Sequence, residues 1–241
     1  MAIIYAGAAG WAYPSWRRGF YPAGLGAAGF LAYYAGRLNS VEVNYSFRSS
    51  LTKELLEEWI KATPPNFIFA VKAPQQITHI KRLRGAAATT RKFITSLKPL
   101  REAGKLGPVL FQLPPNFKCD LPRLEKFLPK IPSDLRATFE FRHPSWFDEE
   151  VYAAMRKANV ALCLAESEKL ETPPVQTADF SYLRLRKDCY SPRARKKLAE
   201  RVADLARRGD VFLYFKHEDT PNGAFYAERL LHTIGFKLGT R

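Results

Sequence analysis

The sequence lacks the long apolar segments and the leader that mark membrane and exported proteins. No apolar run approaches the roughly 18 residues that a membrane-spanning helix needs. The chain opens with MAIIYAGAAG, which enters a strand-like pattern without the basic start, apolar middle and cleavage site of a signal peptide. We therefore expect no membrane partner and a cytoplasmic location.

Cysteine and nucleotide-binding motifs are also scarce. The three cysteines, Cys119, Cys163 and Cys189, are widely spaced and form no CxxC or Cys/His cluster, which argues against a disulfide framework and a structural zinc. Cys163 lies in the apolar run VALCLA and is interpreted as a buried small hydrophobe. No GxGxxG or GxxxxGK[ST] is present, so the usual dinucleotide and P-loop sites are excluded.

Acidic residues are few relative to basic ones. The chain has 38 Lys and Arg against 23 Asp and Glu, a net charge of +15. Such a field concentrates anionic partners, namely nucleic acid or phosphorylated metabolites. Basic residues on outer helix faces that serve solubility, or an ion-pair-rich surface, would give the same composition, so charge alone leaves both interpretations open.

What the sequence does contain is a regular alternation of short apolar segments and helical patterns, without linkers or repeats. Strands are predicted at 3–8, 40–44, 68–72, 109–112, 137–141, 161–165, 180–185 and 211–216. Helices are predicted at 30–37, 51–62, 87–102, 121–128, 149–159, 193–208 and 223–233. The connection 166–179 has no convincing helix.

This alternation predicts an α/β fold in which residues 1–241 form a single (β/α)8 TIM-type barrel domain. One crossover helix, between strands six and seven, is expected to be missing. An open doubly wound sheet is the alternative.

Polar residues stand at the carboxyl end of every predicted strand, where barrels of this type carry their active sites. These residues are Trp11, Tyr13, Glu42, Asn44, Lys72, Thr78, His79, Gln112, Glu140, Arg142, His143, Trp146, Glu166, Arg184, Arg186, Lys216 and His217. The pattern predicts a polar pocket at this end of the barrel.

Two acidic residues lie inside otherwise apolar strands. Glu140 and Arg142 share a strand face, and a buried carboxylate beside a guanidinium stays ionised and can accept a proton or hold a metal. The alternative is an ion pair that only closes the barrel layer. A buried Glu42 needs a partner such as Lys72, Arg142 or a cation. We expect catalytic roles for Glu42 and Glu140, which would also be the ligands of any divalent cation, Mg²⁺ or Mn²⁺.

A lysine and two histidines complete the expected chemistry. Lys72 at the end of the third strand can form a Schiff base or bind phosphate, although pairing with Glu42 is the simpler expectation. His79 and His143 are expected to act as general acids or bases, and the alternative is that they are ordinary hydrogen-bonding residues.

Aromatic residues crowd the first loop of the predicted barrel. They are Trp11, Tyr13, Trp16, Phe20 and Tyr21. Aromatic rings over a polar pocket can stack on a base or sugar, and we expect Trp11 and Tyr13 to bind substrate in this way. A hydrophobic plug that closes the barrel mouth is the alternative.

The order of these motifs resembles the domain-of-unknown-function family 72, the YecE-like proteins, over nearly the whole chain. The matching stretches are GWAYPSW (10–16) with FYP (20–22), VEVN (41–44), FAVKA (69–73), TH (78–79), KLGPVLFQLPP (105–115), EFRH (140–143) and SW (145–146). The resemblance implies a TIM-type barrel and supplies no established reaction. Its motif positions at the mouth correspond to Glu42, Asn44, Lys72, His79, Gln112, Glu140, Arg142 and His143.

The C-terminal part departs from the family pattern. Glu166 stands where the family usually has Asp, Arg186 and Lys187 replace a His-Gly pair, and Lys216 and His217 replace an Asn pair. These changes add positive charge at the mouth and put in question whether this chain shares a substrate with the rest of the family.

These observations favour an enzyme that acts on an anionic, phosphate-containing substrate. Lys72, Arg142 and Arg184 would bind the anion, with Gln112 and Asn44 beside them. The favoured reaction is metal-assisted hydrolysis of a phosphodiester in nucleic acid, a nuclease activity. The alternatives are a sugar-phosphate isomerase or lyase, and a barrel that binds nucleic acid or a metabolite without turning it over.

Overall fold

The protein is a barrel of eight parallel strands. In the computed structural model, residues 2–166, 170–187, 189–217 and 219–235 are described. The strands are β1 (Ile4–Ala8), β2 (Ser40–Val43), β3 (Ile68–Lys72), β4 (Leu106–Gln112), β5 (Ala137–Glu140), β6 (Ala161–Glu166), β7 (Ser181–Leu185) and β8 (Val211–Phe215). Their hydrogen-bonded order is β1-β8-β7-β6-β5-β4-β3-β2, and every pair is parallel. The predicted barrel is therefore confirmed.

Helices connect the strands on the outside. They are α1 (Phe30–Ala35), α2 (Lys53–Lys61), α3 (Ala87–Ser96), α4 (Lys98–Glu102), α5 (Leu121–Phe127), α6 (Glu149–Lys157), α7 (Pro192–Ala206) and α8 (Asn222–Thr233). No helix in these ranges is both long and apolar enough to cross a membrane.

Two connections are informative about the sequence prediction. The single helix predicted over 87–102 is two helices, because Pro99 cannot donate to the preceding turn and instead occupies the first turn of α4. Between β6 and β7 the described part, 170–179, contains no helix, as expected. Residues 167–169 of that connection lie outside the described ranges.

The inside of the barrel changes character from bottom to top because side chains on one face of a strand recur every second residue. The lower layer is apolar and aromatic, and it includes the buried Cys163 that the sequence predicted. One step further along the same faces, Ala70 is followed by Lys72 and Tyr182 is followed by Arg184. The polar site therefore rests on an apolar floor.

Side chains close the barrel between β1 and β2. The Asn39 Oδ1 accepts from the Ala6 N–H at 2.9 Å, and its Nδ2 donates to the Ile4 carbonyl oxygen at 2.8 Å. A Cβ at Gly7 would collide with the Ser40 carbonyl oxygen, so glycine is what lets the two strands approach. The Asn39 amide takes the place of two missing ladder bonds.

We expect Asn39→Ala to destabilise the barrel by about 2 kcal/mol, because it leaves a buried N–H and a partly buried carbonyl without partners. Urea unfolding of the variant measures the loss. Asn66→Ala is the matched control, since Asn66 is exposed. Equal stability of the two variants would show that the seam does not depend on the Asn39 amide.

Candidate functional site

The central element of the barrel mouth is Arg184 on β7, which lies between two carboxylates. Its Nε and Nη2 donate to Glu42 on β2 at 2.8 and 2.7 Å, and its Nη1 donates to Glu140 on β5. Burial would lower the pKa of the Arg184 guanidinium, but the two carboxylates raise it well above its ordinary value. All three residues are at most 1% exposed. They form an ion triad inside the barrel mouth, whereas the ion pair that the sequence suggested for Glu140 was with Arg142.

Glu42 lies at the bottom of this triad. Besides Arg184, its carboxylate accepts a hydrogen bond from the Tyr182 hydroxyl at 2.7 Å, and the side chain is 0% exposed. A substrate at the mouth cannot contact it without displacing Arg184. The acid–base role predicted for Glu42 therefore does not fit this geometry, and its contacts are those of a residue that orients Arg184.

Glu140 has more hydrogen-bond partners than Glu42. Gln112 Nε2 and Arg186 Nη2 each donate to it at 2.8 Å, whereas the Arg142 Nε lies 3.9 Å away on a more exposed side chain. Burial alone would raise the pKa of Glu140, but Arg184, Arg186 and Gln112 lower it to about 2. The predicted pair with Arg142 exists, but it is the longest of these contacts. A carboxyl this acidic is a poor proton donor.

Lys72 lies beside the triad and is not part of it. Its Nζ donates to Gln112 Oε1 at 2.9 Å and sits 4.0 Å from the centre of the Phe47 ring. Within the described ranges no carboxylate forms an ion pair with it, so the predicted Lys72–Glu42 pair is wrong: Arg184 occupies Glu42 instead. Burial first, and then the Arg184 charge, lower the pKa of Lys72 to about 8.

Two buried N–H donors at the mouth have no hydrogen-bond acceptor among the described residues. They are Arg186 Nε and Asn44 Nδ2. Asn44 directly follows β2 and Arg186 directly follows β7, so both are at the carboxyl ends of their strands. Burial, opposed by Glu140, lowers the pKa of Arg186, so the charge of this guanidinium is costly to bury. The sequence placed Arg186 at the mouth as an added positive charge and gave it no individual role, although it shares a strand face with Arg184.

His79 lies in a π-helical turn, Gln76–Ile80, that follows β3. Its Nδ1 is 2.9 Å from the Thr78 hydroxyl oxygen, and its ring packs edge-on against Phe47, the residue that also contacts Lys72. Burial, together with the Lys72 and Arg142 charges, lowers the pKa of His79. The imidazole is therefore neutral at pH 7 and can accept a proton.

His143 has a local structural contact. Its Nδ1 lies 2.8 Å from the Ser145 hydroxyl and accepts from the Ser145 N–H at 3.2 Å, which caps the 3-10 helix Pro144–Trp146. The same Ser145 hydroxyl accepts from the Cys119 N–H at 2.8 Å, tying two loops of the mouth together. A catalytic role for His143 stays a prediction, and its ring already serves this turn.

The aromatic first loop is mainly a packed plug. Trp16, Phe20 and Tyr21 are at most 1% exposed. Trp11 packs edge-on against Trp59 with the ring centres 5.0 Å apart, and it remains partly exposed. Tyr13, also partly exposed, donates to the Ala9 carbonyl at 2.7 Å. Stacking of Trp11 and Tyr13 on a substrate stays a prediction.

The predicted cation ligands do not fit a metal ion. In the part of the chain that the structure describes, no three His, Cys, Asp or Glu side chains are grouped so that they could hold one. Glu42 and Glu140 both accept from the Arg184 guanidinium, so a Mg²⁺ or Mn²⁺ ion between them would meet a positive charge.

Fold and site together define a (β/α)8 barrel with a cluster of cationic side chains at the carboxyl ends of its strands. The chain belongs to the family described as "Protein of unknown function DUF72", whose model matches residues 5–239. This confirms the resemblance seen in the motifs.

Relatives of this chain occur in Escherichia coli and Bacillus subtilis. The UPF0759 protein YecE of Escherichia coli (strain K12) is 33% identical over 146 residues, which are 60% of this chain and 50% of YecE. The UPF0759 protein YunF of Bacillus subtilis (strain 168) is 32% identical over 158 residues, 62% of this chain and 54% of YunF. The chain thus spans about half the length of these curated relatives.

A crystal structure from the family has the same fold. The DUF72 family protein of Thermotoga maritima superimposes with a TM-score of 0.86 at 27% identity, and the match covers 96% of this chain and 99% of that one.

Proposed function

We propose that the barrel mouth binds a phosphate group of an anionic substrate and that the protein is an enzyme acting on that substrate. The observation that carries this proposal is the pair of buried donors, Arg186 Nε and Asn44 Nδ2, that have no acceptor in the described part of the protein. A buried donor without an acceptor costs about 1–3 kcal/mol. A phosphate has several strong acceptor oxygens and would satisfy both donors.

The charge of the pocket supports the same ligand. Four cationic side chains, Lys72, Arg142, Arg184 and Arg186, surround the mouth, whereas Glu42 and Glu140 are both engaged by Arg184. Burial strengthens the field of the cations that are left over because the surrounding dielectric is low. A positive pocket with unfilled donors favours an anion over a neutral or cationic ligand.

The acid–base chemistry of the pocket rests on Lys72 and His79 in this proposal. The pKa of Lys72 is lowered to about 8, close to the operating pH at which a proton-transfer group is most effective. His79 has a lowered pKa and is a neutral base at pH 7. Glu140, with a pKa of about 2, is instead the residue that holds Arg186 in place.

Basic residues beyond the pocket favour a polymeric substrate. The loops that follow the strands present exposed Arg17 and Arg18, Arg48, Arg84 and Lys118. A line of cations that tracks a backbone is the footprint of nucleic-acid binding, and its affinity falls steeply with salt. On this basis we favour a phosphodiester of nucleic acid as the substrate and hydrolysis as the reaction. A sugar phosphate bound only at the mouth is the second candidate, supported by Lys72.

The test is binding and turnover by the wild type and by two mouth variants. Labelled single- and double-stranded DNA and RNA are incubated with Mg²⁺, Mn²⁺ or EDTA, and sugar phosphates are assayed alongside them. Arg186→Met and Asn44→Ala are each expected to weaken binding about 10- to 100-fold, since each removes a hydrogen bond to a charged group. Lys157→Met, at the exposed end of α6 away from the mouth, is the control and should bind as the wild type does.

The outcomes separate the candidates. Cleavage that both mouth variants lose supports the nuclease, and turnover of a sugar phosphate alone supports the small-molecule enzyme. Salt-sensitive binding without any product identifies a non-catalytic barrel. Binding of phosphate ligands that Arg186→Met and Asn44→Ala leave unchanged would overturn the proposed site. Asn44→Ala keeps this test valid if Arg186→Met unfolds, because the Asn44 amide nitrogen makes no hydrogen bond to the described residues.

A further inference from the structure

We propose that Lys72 forms an imine with the carbonyl carbon of a phosphate-bearing sugar, so that the substrate class of this mouth is an aldehyde or ketone. This inference rests on the phosphate binding proposed above, and it replaces hydrolysis by β-elimination as the reaction at the mouth. It names the residue that would bond covalently to the substrate and the functional group that the substrate must carry.

The first argument is the coordination of the Lys72 ammonium group. The side chain is 9% exposed, lies at the carboxyl end of β3, and donates one hydrogen bond, to Gln112 Oε1. No ion pair to a carboxylate forms within the ranges that the structure describes. An ammonium has three donors, so this buried lysine is under-coordinated.

A second buried lysine of the same chain shows the contrast. Lys105, just before β4 and 4% exposed, donates to the Thr63 carbonyl at 2.9 Å, to the Thr63 hydroxyl at 2.7 Å and to the Pro64 carbonyl. Its three donors are therefore used by the fold. Lys72 differs because it lies at the mouth, where the Arg186 Nε and the Asn44 Nδ2 have no acceptor among the described residues.

The surroundings of Lys72 favour the neutral, nucleophilic amine. Burial, Arg184 and Lys216 disfavour the charged ammonium, and together they outweigh the attraction of Glu42, Glu140 and the face of the Phe47 ring. The pKa of about 8 means that a useful fraction of the amine is unprotonated near neutral pH. His79, against the same Phe47 ring, is a base that can take up the proton.

The step balances without a further reactant. The Nζ lone pair attacks the carbonyl carbon, a C–N bond forms, and the carbonyl π electrons move to oxygen. One proton from the nitrogen and one taken up through His79 or solvent convert that oxygen to water, which leaves as the protonated C=N bond forms. The cationic imine then withdraws electrons from the neighbouring carbon, which favours proton removal there and elimination of a β-phosphate.

Two kinds of substrate carry an aldehyde a few bonds from a phosphate. One is a free sugar phosphate, and the other is the open-chain sugar of an abasic site within a DNA strand. The pocket donors Arg186 and Asn44 would bind the phosphate in either case. The basic loops would add affinity only for the strand, so comparison of the two substrates identifies the source.

The experiment traps the imine by reduction. The protein is incubated with glyceraldehyde 3-phosphate, or with an oligonucleotide that carries an abasic site, in the presence of sodium cyanoborohydride, and the adduct is mapped by peptide mass spectrometry. We expect at least tenfold more adduct on Lys72 than on Lys105 or the exposed Lys98, and much less with phosphate-free glyceraldehyde. The trapping rate should rise with pH, with its midpoint near the Lys72 pKa of about 8.

The variant Lys72→Arg should lose the adduct. Because the adduct is mapped on the wild-type protein, the test remains valid even if this variant does not fold. Equal labelling of Lys72 and Lys98 would overturn the imine. So would an absence of labelling with either substrate, if phosphate binding still depends on Arg186. In both cases the proposed phosphate site would remain. Absence of both phosphate binding and labelling would overturn the two proposals together.

Discussion

Replacing Arg184 with methionine should destabilise the barrel by about 3–5 kcal/mol at pH 7, because it leaves Glu42 and Glu140 as buried carboxylates without their shared partner. For a chain of this size, 1 kcal/mol shifts the melting temperature by about 2–4 °C, so the expected decrease is on the order of 10 °C. The apolar methionine fills much of the same space, which makes the lost charge the main difference. Calorimetry and urea unfolding measure the effect.

The pH dependence identifies the cause. In the wild type the pKa of Glu140 is lowered to about 2, so the stability that its ion pairs contribute is present above the ordinary value of 4.5 and is lost as the pH falls toward 2. In the variant Glu140 lacks Arg184, so its pKa rises, and protonation relieves the buried charge. The difference in unfolding free energy should therefore shrink between pH 7 and pH 4.

The matched control for this prediction is Arg193→Met, which removes an exposed arginine from the first turn of α7. It should change the unfolding free energy by less than about 0.5 kcal/mol. If Arg184→Met is no less stable than this control, the triad does not hold the barrel layer together.

The sequence was sufficient for the barrel and for the end of the barrel at which the polar side chains meet. Each strand is a short apolar run, and the polar residues that end these runs lie together at the mouth, as parallel strands require. The sequence was not sufficient to predict which side chains form ion pairs with one another. Glu42 pairs with Arg184, which is 142 residues away, and not with the expected Lys72, because barrel register decides which side chains meet.

Local patterns also bear on His143 and Arg186. His143 is followed two residues later by Ser145, a spacing that suits the cap it forms, and its catalytic role stays a prediction. The sequence placed Arg186 at the mouth on the same strand face as Arg184, since residues two apart share a face. That its Nε lacks an acceptor depends on three-dimensional packing, which no sequence pattern shows.

Lys72→Met should stabilise the protein at pH 7, the opposite of the usual effect of changing a buried residue. Lowering the pKa of Lys72 from 10.5 to about 8 corresponds to roughly 3 kcal/mol against the folded state when the lysine is protonated. Methionine removes that cost. It also leaves Gln112 Oε1 without its donor, which lowers the free energy of unfolding by about 1 kcal/mol. The expected gain is about 2 kcal/mol by urea unfolding.

The sign of the pH dependence is specific to this residue. Because the unfolded state binds the Lys72 proton more tightly, the wild type should gain stability as the pH rises from 8 toward 10.5, and the variant should lack that gain. The difference between the two proteins should therefore shrink between pH 7 and pH 9.5, where other titrating groups cancel in the comparison.

Lys105→Met provides the contrast, since it leaves three acceptors on Thr63 and Pro64 without their donor and should destabilise the protein. If the two substitutions change the free energy of unfolding in opposite directions, the ammonium group of Lys105 stabilises the fold and that of Lys72 destabilises it. Such a cost is expected of a residue retained for its chemistry. If Lys72→Met is destabilised as Lys105→Met is, then Lys72 is a structural residue and the case for a reactive amine at the mouth fails with it.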